Sequence, residues 1–439
     1  PPAGTRPRVD AMTTFIVTAG LMILFVLGIP VGYSLGVAGL LAYLSELGSR
    51  VNIPMLSQRM QYGVNNFLLL AIPLFILAAK LMNTAGITTR LFNFARLLVG
   101  SLPGGLGQSN VVASLIFAGM SGAAVADAAG LGQVELKAMR DAGYDRDLSV
   151  AITAASTTIG PIFPPSIPMV IFALVAEVSV GRLFLGGVIP GLLMTGALMI
   201  MVACYAHRSG VPRTLFPGMV ELLKSFSHAF LPILTPIILL GGIWSGEFTP
   251  TEAAAVAVAY ALLLGALAYR EIGLKDLGRI FVATARETAA IGIIICAANF
   301  FGWLLLRTGL TITIAASITG FTTNPLLLLL LINLFLLVIG CFMETVVAIL
   351  IITPMLMPVI AKVGIDPVHF GVVMVLNLMI GLLTPPFGVV LFVMTGVSGL
   401  PFERVVRATL PFIVPLLVVL ALITVFPWLV TWLPRLVMG

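Results

Sequence analysis

Charged side chains are scarce in this chain. Asp, Glu, Lys and Arg supply 9% of its 439 residues, against 60% hydrophobic residues and a mean hydropathy of +1.16. So little charge cannot clothe the surface of a soluble globule, and the composition is that of an all-α, polytopic membrane protein. Cysteine is equally thin: Cys204, Cys296 and Cys341 lie in separate apolar runs without paired spacing. That excludes a disulfide framework and a thiolate metal site, and the three are expected to be small buried residues. The three histidines, His207, His228 and His369, fall at predicted span ends, where a solvated imidazole is expected. No Ser/His/Asp or His-Glu-x-x-His constellation supports hydrolysis. The formal charge of +6 is scattered between apolar runs rather than gathered in a patch, so it reads as membrane-topology signal and not as nucleic-acid affinity.

Proline, by contrast, is abundant in the places a helix tolerates it least. Residues 157–169 read TTIGPIFPPSIPM and residues 378–390 read LMIGLLTPPFGVV, each placing Gly-x-x-x-Pro-Pro inside a run long enough to cross a bilayer. Two consecutive prolines remove two helix donors and clash with the preceding turn, so each helix should stop within the membrane. Lipid cannot hydrogen-bond the freed carbonyls. Such a break is tolerated only where it lines a protein-enclosed or ion-filled cavity. Two matched breaks, one in each half, point to the midplane site of a secondary transporter.

The length allows roughly ten to twelve spans at about 20 residues each. Residues 1–11, PPAGTRPRVDA, read as a disordered extension or linker ahead of Met12. Segments 12–27 and 31–44 are apolar and separated by Gly28-Ile29-Pro30. Segment 52–66 suits an interfacial position before a span over 67–82, and 87–100, with Arg90 and Arg96, suits an in-plane arm helix. A re-entrant hairpin is expected over 106–140, turning near Gly119–Gly122, followed by a broken helix over 147–177 and a return span over 183–205. The polar stretch 208–227 reads as a linker. Spans over 230–244, 251–269 and 281–306 follow it, then an arm-like segment over 311–321, a second hairpin over 325–362, a second broken helix over 367–397 and a last span over 411–432.

The halves repeat. Gly119 to Gly160 and Gly340 to Gly381 are both 41 residues, and adding 221 carries Gly143 onto Gly364, Asp145 onto Asp366, Pro164-Pro165 onto Pro385-Pro386 and Pro190 onto Pro411. The repeats are 12–207 and 228–439. Each holds five crossings, an odd number, so the copies are inverted in the membrane. Arg90, Arg96, Lys137, Arg140 and Arg146 flank the first hairpin and mark its side as cytoplasmic. The same bias puts the 208–227 linker in the cytoplasm and both termini on the opposite face.

At each break the half-helix ends offer partial charges of both signs, with Ser121 and Thr384 adding hydroxyl oxygens. Carbonyl and hydroxyl oxygens suit a small hard cation such as sodium. Ser156, Thr157 and Thr158 precede the first break, and Asn377 is the counterpart of Ser156. These four either face a polar solute or bond back to their own turn. Asp127, just past the first hairpin turn, joins these four as a candidate to bind the solute, and is either a cation or proton carrier or a helix cap; Glu344, at the second, is favoured as a cap.

The stretches GMSGAAVADAAGLG at 119–132, IGPIFPPSIPMVIF at 159–172, FTPTEAAAVA at 248–257 and IGLLTPPFGVVLF at 380–392 resemble the large membrane subunit of tripartite ATP-independent periplasmic (TRAP) transporters. The resemblance extends over nearly the whole chain from Met12. It implies a bacterial inner-membrane symporter that uses a sodium gradient to take up an organic acid delivered by a periplasmic binding protein. It also implies an elevator motion of hairpins and broken helices against a scaffold braced by a separate or fused four-helix membrane subunit. The family's sodium sites fall here on Ser121 with the backbone of Gly160, Phe163 and Pro164, and on the backbone of Gly340, Gly381 and Phe387 with Thr384. Ala118, Ala123 and Ala124 stand where some relatives have further hydroxyls. A stand-alone sodium- or proton-coupled anion carrier of the same architecture is the alternative, and an intramembrane enzyme a disfavoured third.

Overall fold

The computed structural model describes residues 31–47, 53–209, 218–307 and 322–439, with isolated positions at 20, 23, 24, 27, 29 and 320. The extension 1–11, nearly all of the expected 12–27 span, positions 210–217 of the linker and nearly all of the 311–321 arm lie outside these residues. Every described element is a helix or turn.

The first group of helices forms one wall. Helix α1 (Val31–Leu47), α2 (Ile53–Val64) and α3 (Ala71–Thr84) all pack against the long α13 (Leu274–Arg307). Asn66 caps a single tight turn, Phe67–Leu70, that leads into α3. Lipid gives no hydrophobic drive between helices, so close contact through small residues must hold them. On α12 (Pro250–Leu262), the small Ala253, Ala254, Ala257 and Ala261 are buried, and that helix packs on α3. Thr249 and Glu252 close a reciprocal capping box at its start. Helix α4 (Ile87–Val99) lies against α5 (Gly105–Ser121) and α11 (Met219–Trp244). Arg90 ties it to the turn after α12 through Glu271 at 2.7 Å and the Tyr269 ring, 4.0 Å from the guanidinium.

The second group carries the repeat. In the first half α5 turns at Gly122 into α6 (Ala124–Ala129) and α7 (Leu131–Asp141), which together form the hairpin's returning arm. Then come α8 (Arg146–Ser156), a break, α9 (Ile167–Ala176) and α10 (Val180–Ser209). The second half repeats this with α14 (Pro325–Phe342), α15 (Thr345–Val363), α16 (Pro367–Gly381), a break, α17 (Val389–Ser398) and α18 (Phe402–Val425), followed by α19 (Trp428–Met438). The Gly-x-Asp turns explain where each broken helix starts. Gly143 and Gly364 adopt φ of 78° and 76°, open to glycine without a Cβ penalty. Asp145 then accepts from the amides of Asp147 and Leu148, and Asp366 from those of Val368 and His369. Pro164–Pro165 and Pro385–Pro386 are both cis. The two broken helices meet through Phe172 and Phe370, fully buried with ring centres 6.0 Å apart.

Eight described helices are long and apolar enough to cross a bilayer, and the broken-helix pieces α9, α16 and α17 are apolar but shorter. Several boundaries differ from those read in the sequence. Helix α11 begins at Met219, inside the 208–227 linker, and α13 begins at Leu274, because polar residues extend a helix past the bilayer edge without ending it. The last span ends at Val425 rather than 432. Phe426-Pro427 turns the chain, and α19 folds back along α10. His369 is buried rather than solvated, because the first turn of α16 tucks its ring against α18, with Nε2 2.7 Å from the Ile423 carbonyl. Cys204 is exposed on α10, and Cys296 and Cys341 are half-buried, so none of the three is the buried filler their apolar surroundings suggested.

Candidate functional site

Both hairpin tips border one cavity of about 430 Å³. The first contributes Ser121 and Ala123–Ala126, the second Glu344, Thr345 and Val346, while Lys80 and Glu287 face them from α3 and α13. Their convergence on one space from two ends of the chain is what inverted halves require.

The first tip is seated in the first break. Gly122 takes φ of 62°, and its carbonyl accepts from the Ile167 amide at 3.3 Å. A Cβ there would come within 2.5 Å of the Pro165 carbonyl oxygen, so only glycine allows the tip to press this closely. On the far side of the break, Ser166 caps α9 by accepting from the Met169 amide at 3.2 Å, and its hydroxyl donates to the Pro161 carbonyl. Among the described residues nothing donates to the carbonyl oxygens of Gly160, Phe163 or Pro164. Ser121 Oγ lies beside the Asp127 carboxylate, and among the described residues neither this hydroxyl nor either carboxylate oxygen makes a hydrogen bond of normal geometry, though all are buried. Asp127 also abuts Gly160, whose missing side chain leaves the room. Oxygens left unpaired at such depth have the chemistry of a hard-cation site.

The second tip meets the second break more directly. A Cβ on Gly381 would lie 2.6 Å from Gly340 Cα, so two helix backbones touch where α14 ends and α16 stops. Thr384 donates its hydroxyl proton to the Ile380 carbonyl at 2.8 Å, which leaves the Oγ1 lone pairs available. The Gly381 carbonyl accepts one bond, from the Thr384 amide, while those of Gly340 and Phe387 accept none among the described residues. Phe387 itself is half-exposed, its ring edge-on to Phe342. Each break therefore carries carbonyl oxygens without a protein donor among the described residues, next to a hairpin tip. Glu344 is a cap, accepting from the Val346 and Val347 amides at 3.0 and 3.3 Å. Asp127 is not: Ala123 holds the cap position of α6.

The expected solute-facing residues sit elsewhere. Ser156 is buried and bonded to Asn110 and Ser114 of α5, at 2.8 and 3.0 Å. At the matching place, Asn377 donates to the carbonyl and side-chain oxygen of Asn333 on α14, at 2.9 and 3.0 Å. Thr157 and Thr158 bond back to Ala154 and Ala155. All four are fully buried, and none borders the cavity. Ser156 and Asn377 instead fasten each broken helix to its hairpin.

Sequence reasoning missed Lys80 and Glu287, which pair at 2.6 Å on the cavity wall opposite the tips. A lysine ten residues into the apolar run from Ala71 was signal enough. It also missed Glu135, fully buried near Asp127 and Ser114, with neither oxygen in a hydrogen bond of normal geometry among the described residues.

Comparison with known proteins places these features in a family. Residues 18–429 match the family described as "Tripartite ATP-independent periplasmic transporter, DctM component". The chain is 48% identical over 412 residues to the sialic acid TRAP transporter large permease protein SiaM of Vibrio cholerae serotype O1, covering 94% of this chain and 96% of that one. It is 42% identical over 429 residues to the sialic acid TRAP transporter permease protein SiaT of Haemophilus influenzae, covering 98% of this chain and 69% of that protein. Its fold is also that of the Alcanivorax borkumensis YdaH transporter, with a TM-score of 0.66 at 15% identity over 95% of this chain and 98% of that one. The chain belongs to the DctM family: it is the large membrane subunit of a TRAP transporter, a transporter and not an enzyme.

Proposed function

We propose that this subunit couples a sodium gradient to the uptake of an organic acid, with sialic acid the first candidate because the two sialic acid transporters above are 48 and 42% identical to it. The observation that carries the reading is the pair of hairpin tips that border one cavity, each docked at a break whose carbonyl oxygens lack protein donors among the described residues. Ser121 with the carbonyls of Gly160, Phe163 and Pro164 would hold one ion, and Thr384 with those of Gly340, Gly381 and Phe387 the other. A bound sodium supplies positive charge that offsets unpaired oxygens and favours an anion nearby. The chain's own residues do the rest. Gly122 and Gly381 let the tips close on the breaks, Ser156 and Asn377 keep tip and broken helix moving as one body, and Asp145 and Asp366 anchor the starts of both.

In this reading the hairpins and broken helices travel against the wall made by α1, α2, α3 and α13, in which the other three each pack on α13. A small four-helix subunit braces that wall, and a periplasmic binding protein delivers the acid to an inner-membrane carrier. Uptake of labelled sialic acid and succinate into proteoliposomes containing both membrane subunits tests it. Uptake that needs the sodium gradient and the loaded binding protein is expected. Equal uptake without the binding protein would select a stand-alone carrier, and equal uptake in potassium would remove the coupling.

A further inference from the structure

Lys80 is a charge where lipid would tolerate none. It lies on α3 within AIPLFILAAKLMNT, and its ammonium group faces the cavity 2.6 Å from Glu287 Oε1 of α13. Helices α3 and α13 pack on each other, so both charges belong to one wall, and the hairpin tips form the other. Among the described residues bordering the cavity, Lys80 is the one cation.

Two carboxylates share that space, and they are held differently. Glu344 is fixed by the Val346 and Val347 amides at the head of α15. Glu287 has Lys80 as its one hydrogen-bond partner among the described residues, and its side chain is 53% exposed against 27% for Lys80. The lysine stem is therefore packed and its head aimed, while the glutamate is a loosely held counter-ion standing half in the cavity. Another carboxylate of similar size could take its place on the ammonium group without rebuilding the wall.

We infer that Lys80, on the wall, captures the acid group of the entering solute and gives it up when the hairpins and broken helices move off, and that Glu287 is the resident counter-ion this group displaces. The inference rests on the transport reading and gives its cavity a recognition element. In the empty cavity the Lys80–Glu287 pair leaves neither charge alone; on entry the solute's carboxylate accepts hydrogen bonds from Nζ, and Glu287 turns to water in the cavity. An ammonium group is a point charge with three rotatable donors, so it recognises an acid group without demanding the planar two-point match that arginine would impose. Lys80 then selects for an anionic head, and the remaining cavity wall selects the body of the solute.

The anchor makes the two partners act with opposite sign, which a merely structural ion pair cannot do. Binding of labelled sialic acid and succinate to the nanodisc-held complex of both membrane subunits, in sodium buffer, reads it directly. Lys80→Gln should weaken binding of the acid at least about tenfold, since it removes a charge-assisted bond in a sheltered site. Lys80→Arg keeps the charge and should stay within about threefold. Glu287→Gln should tighten binding about two- to fivefold, because the competitor for Lys80 is gone. Thermal unfolding of each variant reports any loss of fold separately. Equal weakening by Lys80→Gln and Glu287→Gln, or wild-type affinity in Lys80→Gln, would overturn the anchor while leaving sodium-driven uptake intact. A wild-type complex that neither binds nor takes up an acid would refute the transport reading and the anchor with it.

Discussion

Adding one methyl group at Gly381 should disable the second break while leaving most of the fold in place. In Gly381→Ala the new Cβ would sit 2.6 Å from Gly340 Cα and carbonyl carbon and 2.7 Å from its oxygen. Ordinary contact begins near 3.4 Å, so α14 and α16 must part by the difference, 0.8 Å, at the point where the hairpin meets the break. Both partners are helix backbone, which cannot rotate aside as a side chain can. Overpacking of this kind costs about 1–3 kcal/mol. If that cost falls on the closed, ion-holding arrangement, the sodium concentration for half-maximal uptake rises about 5- to 150-fold. The assay is a sodium titration of uptake, paired with thermal melting of the purified complex. Gly396→Ala is the control, because among the described residues nothing lies within 4 Å of a Cβ built there on α17. A Gly381→Ala variant matching Gly396→Ala in both sodium dependence and melting would refute the argument.

Three further outcomes follow from the same structure. Asn377→Leu and Ser156→Ala should lower stability, Asn377→Leu by about 1–3 kcal/mol through the oxygens it orphans on Asn333, and leave the affinity for the acid unchanged; calorimetric melting beside acid binding checks this. Asp366→Ala removes the cap of α16 and should cost about 1 kcal/mol, visible as a lower melting temperature at unchanged sodium activation. Arg404→Gln breaks a close pair with Asp147 whose side chains are 53% and 35% exposed, so its effect on stability should stay below about 1 kcal/mol in the same melting assay.

What the sequence disclosed was local. The Pro-Pro breaks, the glycines before Asp145 and Asp366 and the cap at Glu344 each act within a few residues of themselves, and the 221-residue offset repeats them in both halves. What it hid was pairing at a distance. Lys80 meets Glu287 across 207 positions, and nothing near either residue names the other. Ser156 and Asn377 were candidates for a solute because they are polar beside a break; which way a side chain points depends on a helix packed from 46 or 44 positions away. His369 looked solvated for the same reason, since the α18 carbonyl that receives it is 54 positions on. The end of the last span was misplaced because α19 is apolar enough to read as a continuation, and only the turn at Phe426-Pro427 separates it from α18.

The central claim, that oxygens at both breaks hold the coupling ions, is tested most directly by the sodium dependence of acid uptake in wild type, Ser121→Ala and Thr384→Val. Each variant removes one oxygen and little volume, worth about 0.5–1.5 kcal/mol, or about two- to tenfold in half-saturation. The account expects a steeper than first-order sodium dependence in the wild type and a right-shifted curve in each variant, at unchanged melting temperature. Sodium curves that superimpose for all three proteins would contradict it.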